Sequence, residues 1–291
     1  MNKDRENSCK GLCVTDLDGT LLGADGTLAK ADLDALASLA GHGIRTAIAT
    51  GRSLHSFAHS AAVDLPVDYI IFTTGAGVVT QTGRKLLYQV NLPSEMVARA
   101  LEFLTGTSLD FMLHHPVPDN HRYVYRRSNK DNADFESRIE RYREYGQSLD
   151  TQNPCGFGEA SQFLAVVPRN RSGEALREVI DGLPFLSVVH STSPLDHEST
   201  WIELFHPGVS KGRTAAWLAA GLGVKPMDTM AIGNDFNDLD LLEWAANSYV
   251  VANAPAGLRS RFQKVASNNN GGVAEAISRW LDSDRNVSNQ E

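Results

Sequence analysis

The stretch Leu12-Cys13-Val14-Thr15-Asp16-Leu17-Asp18-Gly19-Thr20 decides how the chain is read. It opens as a short apolar run of the kind that fills a buried strand, and it stops abruptly at Asp16. A second carboxylate, Asp18, follows two residues later, and Gly19 leaves the backbone free to turn sharply. A buried strand that ends in carboxylates and glycine is the edge of something, and the rest of the chain says of what.

Working outward, Leu33, Leu36, Ala37 and Ala40 recur at helical spacing, and Gly41 and Gly43 stop that helix. A second apolar run, Thr46-Ala47-Ile48-Ala49, ends at Thr50-Gly51-Arg52, and a third, Tyr69-Ile70-Ile71-Phe72, ends at Thr73-Thr74-Gly75. The pattern returns late, where Met230-Ala231-Ile232 ends at Gly233-Asn234-Asp235 and Tyr249-Val250-Val251-Ala252 ends at Asn253-Ala254-Pro255. Apolar strands alternating with amphipathic helices predict an α/β fold with a doubly wound, Rossmann-like parallel sheet. Between the two blocks the texture changes. Arg122 to Arg143 is dense in charge and tyrosine, and Phe163-Leu164-Ala165-Val166-Val167-Pro168 and Trp201-Ile202-Glu203-Leu204-Phe205 read as strands of another sheet. The expected organisation is a core of residues 1–90 and 207–291 carrying an inserted α/β domain over 91–206.

The composition, 42% hydrophobic and 21% charged over 291 residues, is that of a globular protein, with fraying expected at the polar ends, residues 1–10 and 282–291. No apolar stretch is long enough to span a bilayer and the first residues lack the apolar core of a signal peptide, so no membrane association and a cytoplasmic location are expected. Cys9, Cys13 and Cys155 have neither zinc-site spacing nor the number for a disulfide framework, which predicts reduced thiols. A formal net charge of -8 excludes a general nucleic-acid binder. A monomer or weak homo-oligomer is expected.

In open α/β sheets, ligands bind beyond the carboxyl ends of the strands, so the polar clusters just named converge. Phosphoryl transfer asks for an in-line nucleophile and for positive charge on the transferring oxygens. Asp16 can attack phosphorus, and Asp18 can protonate the leaving oxygen and later activate water. Read alone, the pair is equally consistent with a helix cap or with metal ligands of a sugar-transferring enzyme. Thr50, Gly51 and Arg52 offer a hydroxyl and backbone N–H groups to a phosphoryl oxygen, although Thr50 could equally cap a helix. Lys211, behind a predicted N-cap at Ser210, sits in the first turn of a helix, where it opposes the dipole and makes sense as a counter-charge to Asp16 and phosphate. Asn234, Asp235 and Asp238 add hard oxygen atoms that suit Mg2+ alongside Asp16 and Asp18, and the same segment also reads as a capped helix from Asp238 through Ala245.

Taken in order, these segments resemble the haloacid dehalogenase superfamily, specifically its Cof-like, type IIB phosphatases. The resemblance also takes in the hairpin around Thr74-Gly75-Ala76 and the closing Asn270-Gly271-Gly272-Val273-Ala274-Glu275-Ala276-Ile277. It implies Asp16 as nucleophile, Asp18 as acid and base, Thr50 and Lys211 as phosphate binders, and Thr74 and Gly75 at the substrate. It further implies Mg2+ on Asp16, the Asp18 carbonyl and the acidic loop near residue 235, and an inserted cap that chooses the substrate. The chain departs from the family pattern twice. Asn234 stands where an acid usually follows Gly233, so that either its amide oxygen or Asp235 would ligate the metal, and Thr74 stands where Asn is usual.

The expected activity is therefore a Mg2+-dependent phosphatase acting on a small-molecule phosphate ester, a sugar phosphate or phosphorylated glycoside, through an aspartyl phosphate. A phosphosugar mutase on the same scaffold and a non-enzymatic phosphometabolite binder are the alternatives. His114, His115, Arg122, Arg126 and Arg127 carry no substrate assignment, since such groups are more often structural or solvated.

Overall fold

The run around Val14 forms strand β1 (Gly11–Asp16), every residue of it buried, in a computed structural model that describes residues 9–128, 131–149, 154–193, 195–196 and 198–288. The chain continues through α1 (Lys30–Ser38), β2 (Ile44–Ala49), α2 (Leu54–Ala58), β3 (Tyr69–Phe72), β4 (Gly77–Thr80) and β5 (Leu86–Gln89). Next come α3 (Ser94–Gly106), β6 (Asp110–His114), β7 (Tyr123–Arg126), α4 (Ala133–Arg141), β8 (Gly146–Ser148), β9 (Gln162–Val167), α5 (Ser172–Gly182), β10 (Ser187–Thr192) and β11 (Thr200–Phe205). The last block is α6 (Lys211–Gly221), β12 (Thr229–Gly233), α7 (Leu239–Trp244), β13 (Asn247–Val251), α8 (Ala256–Arg259), β14 (Gln263–Val265) and α9 (Gly272–Ser288). Two compact units result, one of Met1–Tyr88 with Ser210–Glu291, the other of Gln89–Val209.

In the first unit the strands lie in the order β14-β13-β12-β1-β2-β3-β4-β5. Pairing is parallel from β14 to β3, and β4 folds back antiparallel on β3. The chain leaves β1 toward β2 on one side and returns as β12 on the other, which makes the carboxyl end of β1 a topological switch point, the place where such sheets bind ligands. The core against it is built from Leu12, Val14, Ala47, Ala49, Ile71, Ala231 and Val250 of the strands with Ala215, Leu218, Leu241 and Leu242 of the helices.

One buried carboxyl ties this unit together at a distance. Asp32 of α1 is fully buried, and its Oδ1 accepts the Ala274 N–H at 2.7 Å in the first turn of α9. Burial holds the carboxyl above its usual range, against the pull of the Ala274 and Val273 N–H groups. Asp32→Ala is expected to uncap α9 and to lower the unfolding free energy by about 1–2 kcal/mol in urea denaturation.

The second unit has the order β10-β11-β9-β6-β7-β8, antiparallel except for β7 with β8. Its α3 buries Val97, Ala100, Leu101 and Leu104, the i, i+3, i+4, i+7 stripe that a core-facing helix requires. Alternation along the strands sends Phe111, Leu113, Phe163, Ala165, Ile202 and Leu204 to the face covered by α3 and α5. Met112, Leu164 and Val166 point the other way, against Phe135 and Ile139 of α4.

Several expectations need adjusting. The segment after Gly233 does not form one helix from Asp238 to Ala245. A 3-10 turn over Phe236–Asp238 comes first, capped by Asp235, and α7 ends at Trp244. The polar tail is helical through Ser288 rather than frayed from Asp282, while the rest of that expectation, at residues 1–8 and 289–291, lies outside the described residues. Cys9 and Cys13 are free thiols, and the side chain of Cys155 is not among those described. Among the described residues no helix is long and apolar enough to cross a membrane.

Candidate active site

Asp16 ends β1 with 4% of its surface exposed, and Lys211 opens α6 with none. Ser210 caps that helix as its position predicts, accepting the Arg213 N–H at 3.1 Å. The cap fixes the first turn so that Lys211 Nζ reaches Asp16 Oδ1 at 2.7 Å and Asp238 Oδ1 at 2.6 Å. Burial alone would push the Lys211 ammonium down, but the two carboxylates outweigh it and hold the ammonium above its ordinary value. Asp16 is raised, first by burial and then by the negative charge of Asp238, with Lys211 pulling the other way. Two carboxylates and one ammonium leave this buried cluster one negative charge in excess.

Asp238 Oδ2 also accepts the N–H groups of Asn234 at 2.8 Å and Asp235 at 3.1 Å, so both of its oxygens are engaged. The Asp235 carboxylate takes the Phe236 N–H at 2.8 Å as the cap of its turn. Asn234, by contrast, points its amide at the nucleophile loop. Turned with nitrogen inward, it donates to Asp16 Oδ2 at 3.0 Å, the Asp18 carbonyl at 3.0 Å and Thr20 Oγ1 at 3.1 Å. Turned with oxygen inward, it accepts from Thr20 Oγ1 at 3.1 Å. Gly19, at φ 79°, makes this approach possible, because a Cβ there would stand 2.5 Å from Asn234 Nδ2.

That arrangement fits Mg2+. With its oxygen inward, the Asn234 amide would stand 3.0 Å from Asp16 Oδ2 and 3.0 Å from the Asp18 carbonyl oxygen. Bonds of about 2.0–2.1 Å in an octahedron put neighbouring oxygens about 2.9–3.0 Å apart. Among the described residues no group of three His, Cys, Asp or Glu is suited to a metal ion, so the candidate set is one carboxylate, one main-chain carbonyl and one amide.

Asp18, about half exposed, is clasped by Arg52, whose Nη2 and Nε approach Asp18 Oδ1 and Oδ2 at 2.6 Å and 2.9 Å. Thr50 is fully buried beyond β2. Its Oγ1 accepts the Arg52 N–H at 3.1 Å, a capping contact, while Ser53 caps α2 itself. The Thr73–Thr74 turn laces onto the same loop through Thr74 N to the Thr50 carbonyl at 3.0 Å and Thr73 N to the Arg52 carbonyl at 2.9 Å. Gly75 turns at φ 102°, where a Cβ would lie 2.4 Å from the Ser210 carbonyl, so its first role is to let this turn press on the start of α6.

Thr73 and Thr74 themselves have φ of 50° and 55°, left-handed values that β-branched residues rarely adopt. The Thr74 hydroxyl is buried and has no hydrogen-bond partner among the described residues. Gly51 lies under it, with 3.6 Å between that hydroxyl and the place of a Cβ on Gly51. Asn tolerates this backbone better than Thr. Thr74→Asn is therefore expected to raise the unfolding free energy by about 1 kcal/mol, read from the urea midpoint.

The structure brings Asp16, Lys211, Asn234 and Asp238 together, and pairs Asp18 with Arg52 beside them. Sequence reasoning missed Thr20, Asp240 and Asn253. Asp240 accepts the Gly212 N–H at 2.7 Å and so fixes the start of α6, and Asn253 donates to the Gly19 carbonyl at 2.8 Å. Asn253 did show one signal, as a polar residue ending an apolar strand.

The family model of haloacid dehalogenase-like hydrolases matches residues 13–277. The chain is 26% identical over 276 residues to the putative phosphatase YxeH of Bacillus subtilis, covering 91% of this chain and 96% of that one. It is 23% identical over 286 residues to the 5-amino-6-(5-phospho-D-ribitylamino)uracil phosphatase YwtE of the same organism, covering 92% and 98%. The solved structure of BT1666 from Bacteroides thetaiotaomicron, 23% identical, superposes with a TM-score of 0.76 over 94% of this chain and 96% of that one, a likeness of fold. With an α/β core, an inserted unit and a family match over most of its length, the chain belongs to the haloacid dehalogenase-like hydrolases, in their Cof-like phosphatase branch.

Proposed function

We propose that the chain hydrolyses a small phosphorylated metabolite, a sugar phosphate or related polyol phosphate, with Asp16 as nucleophile. The observation that carries this reading is the convergence of Asp16, Lys211 and Asn234 at the switch point beyond β1. Asp16 Oδ1, oriented by Lys211, forms a bond to phosphorus as the bond to the leaving oxygen breaks. Asp18, released from Arg52 and carrying a proton, gives that proton to the leaving alkoxide. Asp18 then takes a proton from water, the water oxygen bonds to phosphorus, and inorganic phosphate departs as Asp16 is regenerated.

Asp16 Oδ2, the Asp18 carbonyl and Asn234 Oδ1 would hold Mg2+, with Asp238 serving Lys211 and the loop instead of the metal, and Asp235 serving as cap. Bound there, the metal would turn one excess negative charge into one excess positive charge and shield the transferring oxygens. Thr50 and the N–H of Gly51 would hold a phosphoryl oxygen, with the Thr74 hydroxyl, which lacks a hydrogen-bond partner among the described residues, near Gly51. Arg52 governs the availability of Asp18. Residues 91–206 act as the domain that selects the substrate.

A neutral ligand at Asn234 makes the metal site weaker than an acid would. Asn234→Asp is expected to tighten Mg2+ binding about tenfold by titration calorimetry, an added charge worth about 1.4 kcal/mol. It is also expected to lower the Tm of the metal-free protein, because it adds a carboxylate to a cluster already negative. The functional reading is tested by phosphate release from a panel of phosphate esters with and without Mg2+. Release that ignores chelation of the metal would contradict it.

A further inference from the structure

Gly19 follows the Asp18 carbonyl directly and has no side chain to hold it, and glycine takes up φ on either side of zero with nearly equal ease. The Asp18 carbonyl lies in the peptide plane that turns with the φ of Gly19, here 79°. The rest of this loop is tied independently. The Leu17 carbonyl accepts the Leu21 and Leu22 N–H groups at 3.1 Å and 2.8 Å, and both leucine side chains are buried. The Leu22 carbonyl takes Asn268 Nδ2 at 3.0 Å, and the Ala24 N–H donates to Asn269 Oδ1 at 2.9 Å. What these ties leave to be fixed is the peptide between Asp18 and Gly19.

Asn234 does not fix it in the orientation that suits a metal ion. With its oxygen inward, the Asn234 amide accepts from Thr20 Oγ1 and sets that oxygen 3.0 Å from the Asp18 carbonyl, which is also an acceptor. Two such oxygens repel until a cation lies between them, so the metal-free loop must be held from another side. Asn253, just beyond β13, is placed to do this. Its Oδ1 accepts the Asn268 N–H at 3.0 Å, a group that can only donate, which sets the amide with Nδ2 toward the Gly19 carbonyl at 2.8 Å. β13 and β14 run parallel, and the bond from the Ala252 N–H to the Ala266 carbonyl continues their pairing past the strands, so Asn253 and Asn268 leave the sheet at the same edge. Gly19 is thus met by Asn234 from the end of β12 and by Asn253 from the end of β13.

We propose that Asn253 is a positioning residue: by holding the Gly19 carbonyl it fixes the torsions of Gly19 and keeps the Asp18 carbonyl aimed at the metal position. The lock rests on the loop alone, and its effect on Mg2+ rests on the phosphatase reading.

Asn253 and Asn269 form a matched pair for the test, because both are exposed and each makes one hydrogen bond to the same loop, only the first of them beside Asp18. The measurement is the Kd of Mg2+ for the full chain by titration calorimetry. Asn253→Ala is expected to weaken binding about three- to tenfold, the worth of one neutral hydrogen bond, and Asn269→Ala to bind as the wild type does. Wild-type affinity in Asn253→Ala, or an equal loss in Asn269→Ala, would overturn the proposal, since a tie that only stabilises the fold lowers Tm without singling out the metal. If the wild type binds no Mg2+, the metal reading fails separately, and amide hydrogen exchange of the metal-free full chain by NMR decides the lock. Exchange of the Leu21 and Leu22 N–H groups about three- to tenfold faster in Asn253→Ala supports it, and unchanged exchange overturns it.

Discussion

Asp16→Asn is expected to cut phosphate release by at least about a thousandfold, or about 4 kcal/mol of transition-state stabilisation, because an amide cannot form the phosphoryl ester. The loss should not come from unfolding. Asp16 is raised by burial and by Asp238, so its ionised form is held at a cost, and the neutral amide leaves Lys211 paired with Asp238 at 2.6 Å. The Tm of the metal-free variant is accordingly expected to equal or exceed that of the wild type. A variant that is inactive and destabilised would mean that Asp16 has a structural role this geometry does not require.

Lys211→Met is the second large expectation, and it should fail in the opposite way. The ammonium is fully buried between Asp16 and Asp238, so its removal leaves two buried carboxylates with no counter-charge from it. Breaking a buried pair in this way costs about 3–5 kcal/mol. Urea denaturation should show a loss of that size at neutral pH, and activity should fall with it. The two carboxylates can relieve the strain by taking up a proton. Their folded-state affinity for protons then exceeds the unfolded one, so stability is greatest below the ordinary carboxylate range and is given up as pH rises. The deficit of Lys211→Met should therefore shrink on acidification, and a deficit independent of pH would point to lost packing instead.

Together these expectations separate two jobs in one cluster. On the proposed reading Asp16 would be the reactive group, its charge disfavoured by burial and by Asp238, and Lys211 the group that offsets that charge. Mg2+ on the far oxygen of Asp16 would complete the compensation, which gives a physical reason for a metal requirement.

The strands that position the site could be read directly. The apolar runs ending at Asp16, Thr50, Thr73 and Gly233 became β1, β2, β3 and β12, because a strand buried on both faces writes an unbroken hydrophobic run. Ser210 could be read as a cap because capping depends on residues three apart. What could not be read is what long-range contacts decide. Arg52 could be placed at the strand end, yet its pairing with Asp18, 34 residues away, depends on the β1–β2 register. Asp235 and Asp238 look alike in the sequence, and only the turn between them makes one a cap and the other the partner of Lys211. Short strands such as β6, where Asp110 and His114 flank apolar residues, lack the alternation that would mark them, since both of their faces are covered. His114 belongs to the same class. A lone histidine in a charged, tyrosine-rich region gave no sign that its Nε2 would be buried and unpartnered.

The central claim is that a phosphoryl group passes through Asp16, and acid quenching during turnover tests it most directly. Wild-type protein mixed with Mg2+ and a hydrolysed ester, quenched within one turnover and digested, should carry a phosphoryl adduct on the peptide containing Asp16, and Asp16→Asn should carry none. Phosphate release in the wild type with no adduct on that peptide, or continued release by Asp16→Asn, would contradict the account.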